Sequence, residues 1–346
     1  MAGLNLINEE TLEMTWTQPI QGITMQRRTL LKCATGALSM GIPTAFAQTD
    51  GVTRLVVPFT PGASNDLIGR MFADALARRT GRSWIVENKA GAGSLLGAEF
   101  VAKAKPDGMT LLLCASASMG ILPAIRKTMR YAVERDFTFL ARIASSPFAL
   151  VTNAHLPVAN LADFVRLAKS KPGGLRIGSS GVGALDYMGA SMMQSQLGID
   201  LNIIPYKGMS QVLNDLRAGH IDASIVSPAT IEPFVKDGSV KVLAVLDKQR
   251  SALMPDVPST TELGQPKLIV VNWWGIAAPA NIPSDATSTL LKNMALVLAD
   301  PSFLESLRAK GFEPAVLLGD QFAQFVTADL KVWRNIAKQA HIVLEN

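Results

Sequence analysis

Two stretches, RLVVPFTPGASNDLIGRMFADALARRTG over 54–81 and LRIGSSGVGALDYMGASMMQSQLG over 175–198, each read as a short apolar strand, a glycine-containing turn and a helix. A helix entered through a tight turn keeps its first N–H groups unpaired and its positive dipole end exposed, so each turn can receive an anion. Two such ends facing each other form a cleft. One helix start is worth roughly 0.3 to 1 kcal/mol to a nearby anion, whereas a micromolar ligand needs about 8 kcal/mol. Both turns, several charge-assisted hydrogen bonds and exclusion of water must therefore act together.

Around these units, apolar runs alternate with amphipathic segments. LVVPF, a helix over 65–80, WIVEN, a helix over 94–104, MTLLLC, FTFLARIA and FALVTN follow one another in βαβ order. Such order predicts an α/β fold with a mostly parallel sheet covered on both faces. The first helix places Ile68, Met71, Phe72, Ala75 and Leu76 on one face and stops at Gly81, a C-cap. The pattern restarts with a helix over 159–170, then LRIGSS, a helix to 198, NIIPY, a helix to 218, ASIVS and VKVLAVL. After VVNWWGIAAP, helices over 284–299 and 320–339 fit a chain returning to its first domain. The expected division is residues 48–150 plus 269–346 for domain 1 and 151–268 for domain 2, with a hinge where the chain crosses near 148–153 and 268–276.

The first 47 residues carry Arg27-Arg28-Thr29-Leu30-Leu31-Lys32, an apolar small-residue stretch, and Ala45-Phe46-Ala47. This is the pattern of an export leader cleaved after Ala47, twin-arginine-like, with a general secretory route as the alternative. Residues 1–24, with Glu9, Glu10 and Glu13, fit no usual leader pattern and read either as untranslated, with Met25 as the start, or as part of a long leader. Cys33 precedes the apolar stretch and is misplaced for lipid attachment. Beyond the leader only Cys114 remains, so no internal disulfide is available. No later segment reaches the roughly 18 uninterrupted apolar residues of a membrane span. The net charge of +5 comes from cations interspersed with anions, which argues against a nucleic-acid stripe.

Enzyme signatures fail one after another. Gly178-Ser179-Ser180-Gly181-Val182 lacks the last glycine of a nucleophile elbow. His155, His220 and His341 are isolated, without metal-ligand spacing, and His220 beside Asp222 reads as a solvated turn. The loop Gly91 to Gly97 is followed by a strand that ends at Cys114 without a ribose-binding acid. No catalytic residue, metal or cofactor is expected.

The series RLVVPFTPGASND, WIVENKAGAGSLLGAEFVAKAKPDGMTLLL, IPYKG with AGHID, KVLAVLDKQRSALMPDVPSTTELG and WWGIAAPANIP resembles, in that order, the Bug or TctC-type periplasmic receptors of tripartite tricarboxylate transporters. The likeness covers nearly all of the chain after the leader. It implies a two-domain protein similar to the type II periplasmic binding fold, closing about a hinge, with no catalysis of its own. It also implies a small organic anion, a carboxylate or related amide, held by backbone N–H groups and bridging waters, and delivery to membrane permease subunits. Carried over by position, Phe59, Gly62, Ala63, Ser64, Asn65 and Asp66 line the first wall and Ser116 the neighbouring strand end. Ser180, Gly181, Gly183 and Ala184 line the second wall, with Asp186, Tyr187 and Ser227 beside it.

Four departures from the family pattern stand out: Ala63 for a second glycine, Ala184 for threonine, Tyr187 for histidine, and Val226 for a polar residue. They fit a larger or less polar carboxylate, even an aromatic one, or a receptor that has lost affinity. Asp66 either caps its helix or faces the ligand. Asp186 could instead select an amino or amide group, and Tyr187 serves core packing or ligand contact. Trp273 and Trp274 read as inter-domain packing ahead of ligand stacking. A monomer is expected. The rival readings are a periplasmic sensor that signals to a membrane partner and a periplasmic enzyme.

Overall fold

The computed structural model describes residues 51–345. The expected leader, its cleavage after Ala47 and the start at Met25 lie outside the described residues.

Along β1 (Thr53–Val57) the side chains alternate between two cores: Leu55 and Val57 enter one, Val56 the other. The same division holds in β3 (Thr110–Ala115), where Leu111 and Leu113 oppose Leu112 and Cys114. A strand buried on both faces has no polar side to alternate with, which is why these segments read as unbroken apolar runs. Each fully buried Leu, Ile or Val stabilises the fold by about 1.5 to 3 kcal/mol. Cys114 is a free thiol, fully buried, and burial pushes its ionisation up.

Two sheets carry the molecule. The first has the order β11-β4-β10-β3-β1-β2, from β2 (Trp84–Asn88), β4 (Phe137–Pro147), β10 (Val271–Pro279) and β11 (Glu313–Leu318) with β1 and β3. The second has the order β7-β6-β8-β5-β9, from β5 (Ala149–Asn153), β6 (Leu175–Ser179), β7 (Leu201–Pro205), β8 (Ala223–Val226) and β9 (Val240–Val245). Both are more mixed than the βαβ order suggests. Only β2-β1-β3 and β7-β6-β8 pair in parallel, while β4, β10 and β11 pair antiparallel in the first sheet and β5 does so with β8 and β9 in the second. For β4, β5, β9 and β10 the cause is the chain path: the segments that connect the two sheets run against the strands they join.

The passages converge at one place. Phe148, between β4 and β5, donates its N–H to Val270 O at 2.9 Å; Val270 N–H donates to Leu246 O at 2.8 Å; and Leu246 N–H donates to Phe148 O at 2.7 Å. This ring of three backbone bonds ties together the two connections between the sheets.

The helix Ser64–Thr80 buries Ile68, Phe72, Ala75 and Leu76 against the first sheet and ends at Gly81, whose φ of 68° lets its N–H reach Ala77 O at 2.9 Å. Its counterpart Leu185–Leu197 buries Met188, Met192 and Met193 in the second lobe. Short helices Pro228–Lys236 and Pro301–Arg308, each opened by proline at its first turn, and strand β11 were not anticipated from apolar runs. They are too short or too amphipathic to stand out by periodicity. The helix Asp320–Gln339 lies partly on each lobe: Phe322 and Val326 enter a first-lobe core, whereas Trp333, Ile336 and Ala337 join the core of the second.

Candidate functional site

The two turns have the same backbone. Gly62 and Gly183 both have a φ of 82°, each is followed by an alanine N-cap in extended conformation (Ala63, φ −75° and ψ 165°; Ala184, φ −71° and ψ 158°), and a helix starts immediately after. Alanine has no oxygen to cap a helix, and neither turn makes a side-chain cap bond from this position. The result is two helix starts without an N-cap side chain; at the second, the backbone N–H groups of Asp186 and Tyr187 turn to the Asp186 carboxylate.

In the first turn, Asp66 holds the loop from behind. Its Oδ2 accepts from Gly62 N–H at 2.9 Å and from Arg70 Nε at 3.0 Å, and its Oδ1 accepts from Asn88 Nδ2 at 2.9 Å. Asn88, at the end of β2, also donates to Phe59 O at 3.1 Å and accepts from Arg70 at 3.0 Å. Burial opposes ionisation of Asp66, but the Arg70 guanidinium, the Gly62 N–H and the Asn88 amide together hold its pKa down at about 2. Asp66 is thus engaged on both oxygens and shapes the wall. Asn65 accepts from Trp274 Nε1 at 2.5 Å, which leaves its amide NH2 as the part able to reach a ligand. Ser64 is exposed, Phe59 packs half-buried on the first core, and no atom lies within 4 Å of where a Cβ on Gly62 would project.

The second turn is held by Asp186, which accepts from Ser180 through both the N–H and the hydroxyl, at 2.5 and 2.9 Å. Burial pushes its carboxyl above the usual range, with the Ser180 donors pulling the other way. Gly181, with φ 143°, lies near Tyr206 O, and the Ser179 hydroxyl beneath it is fully buried with no partner among the described residues. Tyr187 packs half-buried on the second lobe's core. Val226 is also core, and the half-buried Ser227 pairs with the Thr230 hydroxyl at 2.8 Å. Ser116 is 2% exposed and donates to Asn272 Oδ1 at 2.5 Å.

Both tryptophans belong to the first lobe's cores instead of lying between lobes. Trp273 packs edge-on against Phe322 and Phe325 and donates to Asp329, whose pKa burial pushes up to about 6. Trp274 packs edge-on against Phe312 and fixes Asn65. Apolar patterning did not reveal Arg70, Asn88 or Trp274 as supports of the first turn. A polar residue closing the strand WIVEN was the one available sign.

Both turns lie at the carboxyl ends of parallel strands, where open α/β sheets bind ligands. A cavity of about 510 Å3 among Thr53, Arg79, Trp84, Asp107 and Asp285 lies at the opposite ends of those strands, away from either turn. Among the described residues no group of His, Cys, Asp and Glu is arranged to hold a metal ion, and no helix is long and apolar enough to cross a membrane.

Comparison with known proteins converges on one family. A family model described as tripartite tricarboxylate transporter family receptor, TctC, matches residues 68–342. Protein BugT of Bordetella pertussis is 28% identical over 287 residues, covering 83% of this chain and 88% of that protein. The Rhodopseudomonas palustris protein Rpa4515, solved with adipate, is 28% identical with a TM-score of 0.71, covering 84% of this chain and 98% of its own. MatC of the same organism, with bound malate, is 26% identical with a TM-score of 0.66 over 82% of this chain and 98% of its own. The two-lobed α/β architecture is that of these binding proteins.

Proposed function

The chain belongs to the tripartite tricarboxylate transporter receptor family, and from that premise we propose that it is a periplasmic receptor that closes on a small organic carboxylate and presents it to a membrane permease. The observation that carries this reading is the pair of alanine-capped helix starts, each behind a glycine at φ 82°. A carboxylate supplies an acceptor for the N–H groups of the first turn that alanine leaves uncapped, and it meets the positive end of each helix. Adipate and malate in the related structures support this ligand class. Of the expected division into 48–150 plus 269–346 and 151–268, the described residues of the first part form one domain of the receptor and those of the second the other. The ring of bonds joining Phe148, Leu246 and Val270 is the hinge, since rotation there leaves both sheets intact. The receptor acts as a monomer and performs no chemistry on its ligand.

The test is a titration of the protein with adipate, malate, citrate, benzoate and glutamate, followed by thermal shift and tryptophan fluorescence. Trp274 is bonded to the first turn and reports its occupancy. One carboxylate should give a saturable change and, at a hundredfold excess over its dissociation constant, add about 2.7 kcal/mol of stability. The absence of any shift across carboxylates would overturn the reading, and consumption of a bound compound would make the protein an enzyme.

A further inference from the structure

The two glycines with matching φ have different surroundings. A Cβ built on Gly62 meets nothing within 4 Å, whereas one on Gly183 would lie 2.6 Å from Ile125 Cδ1 and 3.4 Å from Leu344 Cδ1. Ile125 follows β3 in the first lobe and is 1% exposed. Leu344 belongs to the last residues of the chain. The notch left by the missing side chain of Gly183 is therefore filled from the first lobe and the C-terminus.

The tail is held in place by its backbone. After the helix Asp320–Gln339, His341 turns the chain with a φ of 52°, and Ile342 N–H donates to Ala337 O at 2.9 Å. Leu344 then forms a parallel bridge with Arg126: its N–H donates to Ile125 O at 2.8 Å and its carbonyl accepts from Lys127 N–H at 3.3 Å. Ile342 belongs to the apolar core that also holds Met188 and Met192, Leu344 packs against that core, and Gln339 accepts from Ser195 at the far end of the helix Leu185–Leu197 at 2.7 Å. The tail thus runs along the helix Leu185–Leu197 from its end toward the turn that starts it.

We infer that Ile125 and the C-terminal strap, residues 342–345, seat the second turn against the first lobe, so that ligand capture depends on a segment that touches no ligand. Ile125 and Leu344 are positioning residues. Apolar contact between Ile125 and the second turn favours the arrangement in which the two meet, without adding a polar group to the cleft. The ligand-binding part of this inference rests on the receptor reading above; the contact itself does not.

Three variants of the full chain test it: Ile125→Ala, Leu344→Asp, and Ile125→Leu as the conservative control. Amide hydrogen exchange over residues 181–187 should quicken at least fivefold in the first two and stay near wild type in the third, with residues 62–66 unchanged in all. Adipate, used as the probe, should dissociate at least fivefold faster from the first two at an unaltered association rate. Equal exchange over 181–187 in wild type, Ile125→Ala and Leu344→Asp would overturn the inference. If adipate fails to bind the wild type, that failure counts against adipate as ligand, and the exchange measurement alone decides on the strap.

Discussion

The first and second turns reach one backbone shape with opposite electrostatics. Asp66 is held ionised by Arg70 and Asn88, down to a pKa of about 2, while Asp186, with donors from Ser180 and from the backbone N–H groups of Asp186 and Tyr187 but no cation beside it, is buried and pushed upward. The first turn is fixed by a charge network independent of the other lobe. The second is fixed by the Ser180 to Asp186 bonds, by burial and by apolar contact with Ile125 and Leu344, which belong to segments outside its own sheet. A loop conformation is thus a weak guide to what holds it: the same glycine φ is stiff in one lobe and conditional on lobe contact in the other.

The strongest way to break this contrast is Asp66→Ala, which leaves Gly62 N–H, Arg70 and Asn88 without their shared acceptor. Loss of a buried ionised acceptor should cost about 2 to 3 kcal/mol in urea unfolding at pH 7. Because the folded pKa of Asp66 lies below its unfolded value, its contribution is complete above about pH 4 and fades as pH falls toward 2. Wild type and variant should therefore converge in stability across that window; a gap that stays constant would remove the charge from the argument.

Next in size is Ala63→Asp. An acidic cap should stabilise the helix by about 1 kcal/mol, yet occupy the N–H groups and repel an anion, weakening carboxylate binding at least tenfold. Calorimetric titration beside a melting curve separates the two effects, and tighter binding would refute the role given to the uncapped helix. Asn65→Ala, which frees Trp274 Nε1, should cost roughly 1 kcal/mol and alter tryptophan emission with little change in the second turn. An emission spectrum identical to wild type would disconnect Trp274 from the turn.

The smallest effect is expected at Asp186→Asn, because an amide oxygen still accepts from Ser180 N–H and its NH2 can donate to the hydroxyl. An acid with a raised folded pKa favours the fold below its unfolded pKa and loses that advantage as pH rises through the folded one. The variant should therefore lie within about 1 kcal/mol of wild type and gain on it as pH rises above the ordinary carboxylate range. A loss as large as that of Asp66→Ala would make the two turns electrostatically alike.

Much of this was legible in the chain. Apolar runs such as LVVPF and MTLLLC are strands buried on both faces, and period-3.6 spacing from Ile68 to Leu76 ends at a glycine, so elements and order follow from local sequence. The two turns are visible because glycine and small polar residues between a strand and a helix have few other uses. Supports of the site were hidden. Arg70 and Asn88 meet Asp66 across 4 and 22 positions, and Trp274 meets Asn65 across 209. The reading of the tryptophans as inter-domain packing went wrong for the same reason: a bulky ring in a strand near a crossing point has two faces to choose from, and only the packed Phe312, Phe322 and Phe325 choose between them.

Sequence by itself determined that the chain is an α/β protein with two strand-turn-helix units, because periodicity, turn chemistry and apolar runs are local properties. Tertiary structure decided how sheet direction mixes, which aspartate is paired with a cation, and that Gly62 opens to space while Gly183 receives Ile125 and Leu344. Those outcomes depend on contacts between residues far apart in the chain, and the energy of such a contact is set by what stands within a few ångströms, which local pattern does not encode.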